Sequence, residues 1–195
     1  MGLEAVDSKY TVVEEAVTIL QLNMRERCVD QSILKRSLLE EWVPPSVGRL
    51  KFNVDGSARG KPSNGGIGGV LKDASGVVLC RFSFFVRMRD SNEAEILAIH
   101  KACELHESRV ALWNKEIDII SDSLVAVLWA NDSKGFGNLR VVDLVYDIKT
   151  ILERVGRITI SYNLRNTNSY AEILSKRGSN MEGDFLIWGL GMRGR

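Results

Sequence analysis

"LKFNVDGSARGKPSNGGIGGVLKDASGVVLCRFSFFV", Leu50 to Val86, decides the fold. Its opening alternates: Leu50, Phe52 and Val54 fall on one face, Lys51, Asn53 and Asp55 on the other. That period of two marks a strand buried on one side, ending at Asp55-Gly56. "GGIGGVLKD" and "GVVLCRFSFFV" read as two further strands, joined by a tight turn at Ala74-Ser75-Gly76. Connections this short leave no room for a crossover, so the three strands form an antiparallel meander.

Downstream the period changes. "SNEAEILAIHKACELHES" has helical spacing, with Ser91 or Asn92 placed to cap it and Glu95 in its early turns. "EIDIIS" is a short apolar strand running into Asp122, and "SLVAVLWAN" and "NLRVVDLVYDIKTILERV" are helices flanking "DSKGFG". "RITISYN" is a last strand and "SYAEILSKR" a last helix, before the Gly-rich, weakly patterned "SNMEGDFLIWGLGMRGR". A meander followed by βα crossovers predicts an α/β fold: a five-stranded mixed sheet, three antiparallel strands plus two parallel ones, flanked by helices. Upstream, residues 11–42 carry apolar residues at helical spacing until Pro44 and Pro45 break the pattern. The expected organisation is a helical extension and Pro linker over 1–47, one domain over 48–180, and a tail over 181–195.

Composition narrows the function. The 195 residues carry a net charge of +1, so any nucleic-acid contact must come from a local patch rather than a global field. Cys28, Cys80 and Cys103 are scattered and have no metal-binding spacing, which predicts buried reduced thiols. The N-terminus lacks the apolar stretch of a secretory signal and, at Val6, the hydroxyl residue of a myristoylation site. No apolar run approaches the ~18 residues of a membrane helix. The expectation is an intracellular monomer, nuclear or cytoplasmic, with no membrane partner.

Two acids occupy matching places. Asp55 ends one strand and Asp122 another, and in open α/β sheets sites form at the carboxyl ends of neighbouring strands. A lone Asp at a strand end is most often a turn residue or cap, and Asp122 could simply cap the helix after it. Parallel pairing of the two strands would bring both carboxylates to one crevice. Glu95 shares a helix face with Ala98 and Ala102, which must pack on the sheet, and an acid there is costly unless it is paired or binds a cation. Glu93 is expected to point elsewhere, into solvent. Converging carboxylates repel, and hard oxygen ligands without nearby His or Cys favour Mg²⁺, with Mn²⁺ as substitute, over zinc. A pair of such ions ~3.5–4 Å apart suits phosphoryl chemistry.

The segments "LKFNVDGSARGKPSNGGIGGVLKDASGVVL", "SNEAEILAIHKAC", "IDIISDSLVAVLWA" and "RNTNSYAEILSKRG", in this order, resemble the ribonuclease H domain family. With the lead-in "EWVPPSVGRLKFNVDGS", they are most similar to its plant, retroelement-derived branch, over roughly residues 42–178. The resemblance implies a magnesium-dependent endonuclease that cuts the RNA strand of an RNA–DNA hybrid with two Mg²⁺ ions. It implies Asp55, Glu95, Asp122 and Glu172 as catalytic metal ligands. It also implies substrate contacts from Gly56 and Ser57 after the first Asp and from Asn92 before the helix Glu, reading the 2′-hydroxyl in the shallow minor groove. Two positions depart from the family pattern. Tyr162 stands where a His often lies, and Glu172 stands in "NSYAE" where the family has Asp. A carboxylate misplaced by about 1 Å can cost ~100-fold in rate, so the expectation is reduced rather than abolished activity.

Plainer readings accompany these. Gly65 to Gly69 is not a phosphate loop, since no Gly-Lys-Ser/Thr follows, and close backbone packing accounts for it. Trp42, Trp113, Trp129 and Trp188 read mostly as core or linker anchors. Arg165 can touch phosphate or simply be solvated. Lys176 and Arg177 can be dipole partners of the last helix. Two other functions remain open: a retroelement relic that binds nucleic acid without cutting it, and a protein-interaction domain using the segment before residue 43.

Overall fold

The structure, a computed structural model, describes residues 42–59, 63–88, 90–131 and 141–189. The helical pattern expected over 11–42 falls, Trp42 excepted, outside the described residues, as does Cys28. Among the described residues the sheet has six strands: β1 (Arg49–Arg59), β2 (Ser63–Lys72), β3 (Val78–Met88), β4 (Glu116–Ser121), β5 (Ile158–Tyr162) and β6 (Phe185–Trp188). The helices are α1 (Ser91–Glu107), α2 (Leu124–Asn131), α3 (Val142–Val155) and α4 (Ser169–Ser179). In space the strands run β5-β4-β1-β2-β3-β6.

The meander forms as its alternation predicts, β1 antiparallel to β2 and β2 to β3. The turn between β2 and β3 is held by Asp73, whose side chain accepts from the backbone N–H groups of Ser75 (2.9 Å) and Val77 (3.0 Å). Gly76 takes the left-handed conformation this turn requires (φ 84°). β4 then joins β1 in parallel, and β5 joins β4 in parallel.

Three expectations are corrected. The sheet gains a sixth strand, because the apolar run "FLIW" inside the supposed tail pairs antiparallel with β3 from Cys80 to Ser83. A four-residue apolar run is too short for periodicity to register. Asp90, rather than Ser91 or Asn92, caps α1, accepting from the Glu93 N–H at 3.0 Å. Glu93 is buried, not solvated.

The two faces of the sheet are built differently. Leu50, Phe52 and Val54 point to one face, where Phe52 and Val54 are fully buried against a core that includes Ile96 and Ile99 of α1 and Ile148 of α3. Phe82 completes it, edge-on to Phe52 at 5.9 Å between ring centroids. On the opposite face α4 lies directly on the backbone of β2. A Cβ at Gly66 or Gly68 would overlap the backbone around Ser175 and Ser179, and one at Gly178 would overlap the Phe84 carbonyl. The Gly65–Gly69 run is therefore a packing device. Cys80 and Cys103 are buried free thiols, with burial pushing both up to about 12.

Candidate metal centre

The parallel pairing of β1 with β4 ends at Asn53 opposite Ile120. Past that point β1 stays paired with β2 alone, and β4 runs out into the turn before α2. Asp55 and Asp122 each lie two residues beyond the last partners, so the register sets them level across the gap. The expectation that parallel strands would bring the two acids to one crevice holds. Glu95 enters from α1, and one carboxylate oxygen from each of Asp55, Glu95 and Asp122 lies within 4.8 Å of the others.

Each carboxylate is held by its own partners. Asp55 is nearly buried and accepts a hydrogen bond from the Ser175 hydroxyl of α4. Glu95 accepts from the Gly56 backbone N–H, left unpaired where β4 diverges, and from Ser121 Oγ at 3.3 Å. At Gly56 β1 and α1 also approach closely, since a Cβ there would overlap the backbone of Ala94 and Glu95. Asp122 does not cap α2; Ser123 Oγ does, accepting from the Ala126 N–H at 3.2 Å. Asp122 instead accepts from the Asn168 side chain and faces the Arg165 guanidinium at 3.6 Å.

The electrostatics are those of an acidic site that Arg165 compensates only in part. Burial pushes the Asp55 carboxyl up to about 7, partly opposed by the Ser175 hydrogen bond, with Asp122 and Glu172 adding to the rise. Burial, then the charges of Asp55 and Asp122, pushes Glu95 up to about 9. Asp122 is also raised, by burial first, with Arg165 opposing. Three acids that resist ionisation together, all offering hard oxygens to one point, fit a divalent cation of the Mg²⁺ or Mn²⁺ class.

The remaining predicted residues lie around this trio. Glu172 is not part of it. Its carboxylate binds Lys176 (2.7 Å) one turn along α4 and Arg165 (3.4 Å). Arg165 thus bridges Asp122 and Glu172 while staying largely exposed. The Gly56 N–H is engaged by Glu95, Ser57 follows it in β1, and Asn92 sits about one turn before Glu95 on α1. Tyr162 closes β5 opposite Ser121 and is exposed.

Sequence reasoning missed the residues that hold the acids, Ser121, Ser175 and Asn168, the last held in turn by Asn53. Only Ser175 carried a signal. It shares a helical face with Ala171, Leu174 and Gly178, where a hydroxyl must find a buried partner.

The comparisons with known proteins bear on the fold that carries these residues. The family model described as "Reverse transcriptase-like" matches residues 53–178, from β1 through α4. An Arabidopsis thaliana protein named "Putative ribonuclease H protein" is 37% identical over 59 residues, which is 30% of this chain and 10% of that protein. The chain thus aligns to about a tenth of that relative's length. Among solved structures, the ribonuclease H1 LC11, isolated from compost by a metagenomic approach, is similar at 25% identity and a TM-score of 0.64. The match covers 70% of this chain and 99% of that one. A second structure of LC11 was determined in complex with an RNA/DNA hybrid (24% identity, TM-score 0.63). The N-terminal RNase H domain of a Mycobacterium tuberculosis protein shares the fold at 22% identity and a TM-score of 0.60, over 68% of this chain and 94% of that one. With its sheet order, its helices and the family match all spanning the same residues, this chain belongs to the reverse transcriptase-like family and has a ribonuclease H-like fold.

Proposed function

We propose that this protein is a metal-dependent endonuclease hydrolysing the RNA strand of RNA–DNA hybrids. The observation that carries the reading is the convergence of Asp55, Glu95 and Asp122 where β1 and β4 part. The hybrid bound by LC11 supports the choice of substrate class. In this reading the three carboxylates hold Mg²⁺, as two ions with Mn²⁺ as substitute, and Glu172 contributes from the margin. The chemistry such ions supply is activation of water and stabilisation of the leaving oxygen of a phosphodiester.

The chain's own residues do the rest. Ser175 fixes Asp55, while Gly56 N–H and Ser121 fix Glu95, so that neither carboxylate must reorganise on binding a cation. Arg165, exposed beside Asp122, is placed to draw a backbone phosphate towards the acids. Ser57, next after Gly56 in β1, and Asn92, about one turn before Glu95 on α1, carry the groups to read a 2′-hydroxyl. The proposed enzyme is an intracellular monomer whose catalytic unit starts near residue 48.

The test is cleavage of an end-labelled RNA–DNA hybrid in Mg²⁺. Wild type should exceed Asp55→Asn by on the order of 10³-fold, and cleavage no greater than the variant's would refute the proposal. One observation favours a second reading. Glu172 is paired with Lys176 and Arg165 instead of joining the trio, as suits a relic that binds hybrid without turnover. Hybrid binding that persists in EDTA with no cleavage in Mg²⁺ would establish it.

A further inference from the structure

A chain of hydrogen bonds runs from the segment before β1 into the acidic site. Trp42 Nε1 donates to Asn53 Oδ1 at 3.2 Å. Asn53 Nδ2 donates to Asn168 Oδ1 at 3.1 Å and to the Thr167 carbonyl at 3.4 Å. Asn168 Nδ2 donates to the Val54 carbonyl at 2.8 Å, and the same side chain bonds the Asp122 carboxylate. Both amides are buried, at 3% and 1% exposure; each donates both of its side-chain N–H groups and accepts at its oxygen. The polarity of the chain is forced at both ends. An indole N–H can only donate and the Val54 and Thr167 carbonyls can only accept, so each amide has one orientation that satisfies the series.

Trp42 is itself seated. Its ring lies under the Lys72 ammonium, 4.7 Å from the ring centroid, with the Tyr170 ring of α4 on the same ammonium at 5.7 Å. The segment is further pinned by Lys51 Nζ, which donates to the Val43 carbonyl at 2.5 Å, and by buried Pro45. Asn168 directly precedes α4, the helix that carries Ser175 and Glu172.

We infer that Trp42 is a positioning residue for the carboxylate site, acting through Asn53 and Asn168 on Asp122. The inference rests on reading Asp122 as a cation ligand. The segment before the first strand is then part of the site's support, and a change in that segment would be felt as a change in cation affinity.

Trp42→Phe tests this, since it keeps a ring against Lys72 and removes only the N–H. Three quantities are read: the Asn168 side-chain NH₂ resonances of the metal-free protein, Mg²⁺ affinity by calorimetry, and the Mg²⁺ dependence of hybrid cleavage. Groups that orient metal ligands typically change affinity 10–100-fold, so Trp42→Phe, one link further out, should weaken Mg²⁺ binding about 3- to 10-fold. It should shift the Asn168 resonances and leave the rate at saturating Mg²⁺ near wild type. Asn53→Asp, which cannot donate to Asn168 and competes with Asp122 for its NH₂, should weaken binding about 10- to 100-fold. A Trp42→Phe protein that melts earlier but keeps wild-type Mg²⁺ affinity and Asn168 resonances would make Trp42 a structural anchor only and overturn the inference. If wild type binds no Mg²⁺, the functional reading fails separately. The relay then stands or falls on whether Trp42→Phe moves the Asn168 resonances.

Discussion

The two faces of the sheet reach the same burial by opposite means. On one, Phe52, Val54 and Phe82 bury bulky side chains against α1 and α3. On the other, glycines let the α4 backbone rest on β2, and the gaps are filled by hydroxyls and amides. The apolar face has adaptable parts, since side chains can repack around a lost methylene. The close face has none, because backbone meets backbone. The acids sit where the two regimes meet: Glu95 comes from the helix on the apolar face, and Asp55 is gripped by Ser175 from the close one. Stability and site geometry should therefore be separable by choosing the face to perturb.

The largest effect should come from a matched pair of substitutions. Phe52→Ala opens a cavity in the apolar face and should cost about 3–5 kcal/mol in unfolding free energy. The rate of hybrid cleavage per folded molecule should stay near wild type. Gly68→Val should cost at least as much stability, since its Cβ meets α4 backbone that cannot give cheaply. Because it must push α4 and Ser175 away from Asp55, a displacement near 1 Å should lower the rate ~100-fold. Denaturant titration and single-turnover cleavage measure both. Equal rate losses for the two variants would erase the distinction between faces.

The next effect is a pH dependence, and its sign follows from the raised carboxyls. Asp55, ordinarily near 3.8, is held at about 7, and Glu95, ordinarily near 4.5, at about 9. Between those limits the folded protein binds protons that the unfolded chain has released. Metal-free protein should thus be most stable near pH 4–5 and lose stability from there, most steeply up to pH 7, more gently to pH 9 and no further beyond it, by on the order of a few kcal/mol in all. Saturating Mg²⁺ should flatten the decline. Thermal unfolding in EDTA and in Mg²⁺ at pH 5, 7 and 9 reads it, and a metal-free stability that rises over this range would mean the acids are compensated by other charges.

How much of this was legible in the sequence depended on range. The β1 alternation announced the meander, and Asp55 and Asp122 announced the crevice because each ends a recognisable strand. Only the parallel register could say that they stand level. β6 is only four residues long, below what a period can reveal. Asp90, Ser91 and Asn92 are all good caps, and geometry alone chose the first. The Asn53–Asn168 pair spans 115 residues and belongs to no repeating pattern. Glu172 was legible as an acid in the first turn of α4, but the contacts that draw it to Lys176 and Arg165 were not.

Glu172 therefore provides the smallest effect. Glu172→Ala should lower the cleavage rate by less than about tenfold, far short of Asp55→Asn, and change stability by under ~1 kcal/mol, as partly exposed ion pairs generally do. A loss as large as that of Asp55→Asn would instead make it a full member of the site, and the close face would own half the acids.

β6 has a consequence for how the protein meets its own copies. β3 would otherwise be a long, apolar outermost strand, the kind of edge on which a second chain can template itself. β6 occupies that edge from Cys80 to Ser83, Gly189 N–H continues it to the Leu79 carbonyl, and the Asp184 carboxylate takes the Phe85 N–H at 2.6 Å. A six-residue stretch from Asp184 to Gly189 thus acts as a guard against strand-by-strand aggregation. A chain shortened before Asp184 should keep its acids and lose its solubility.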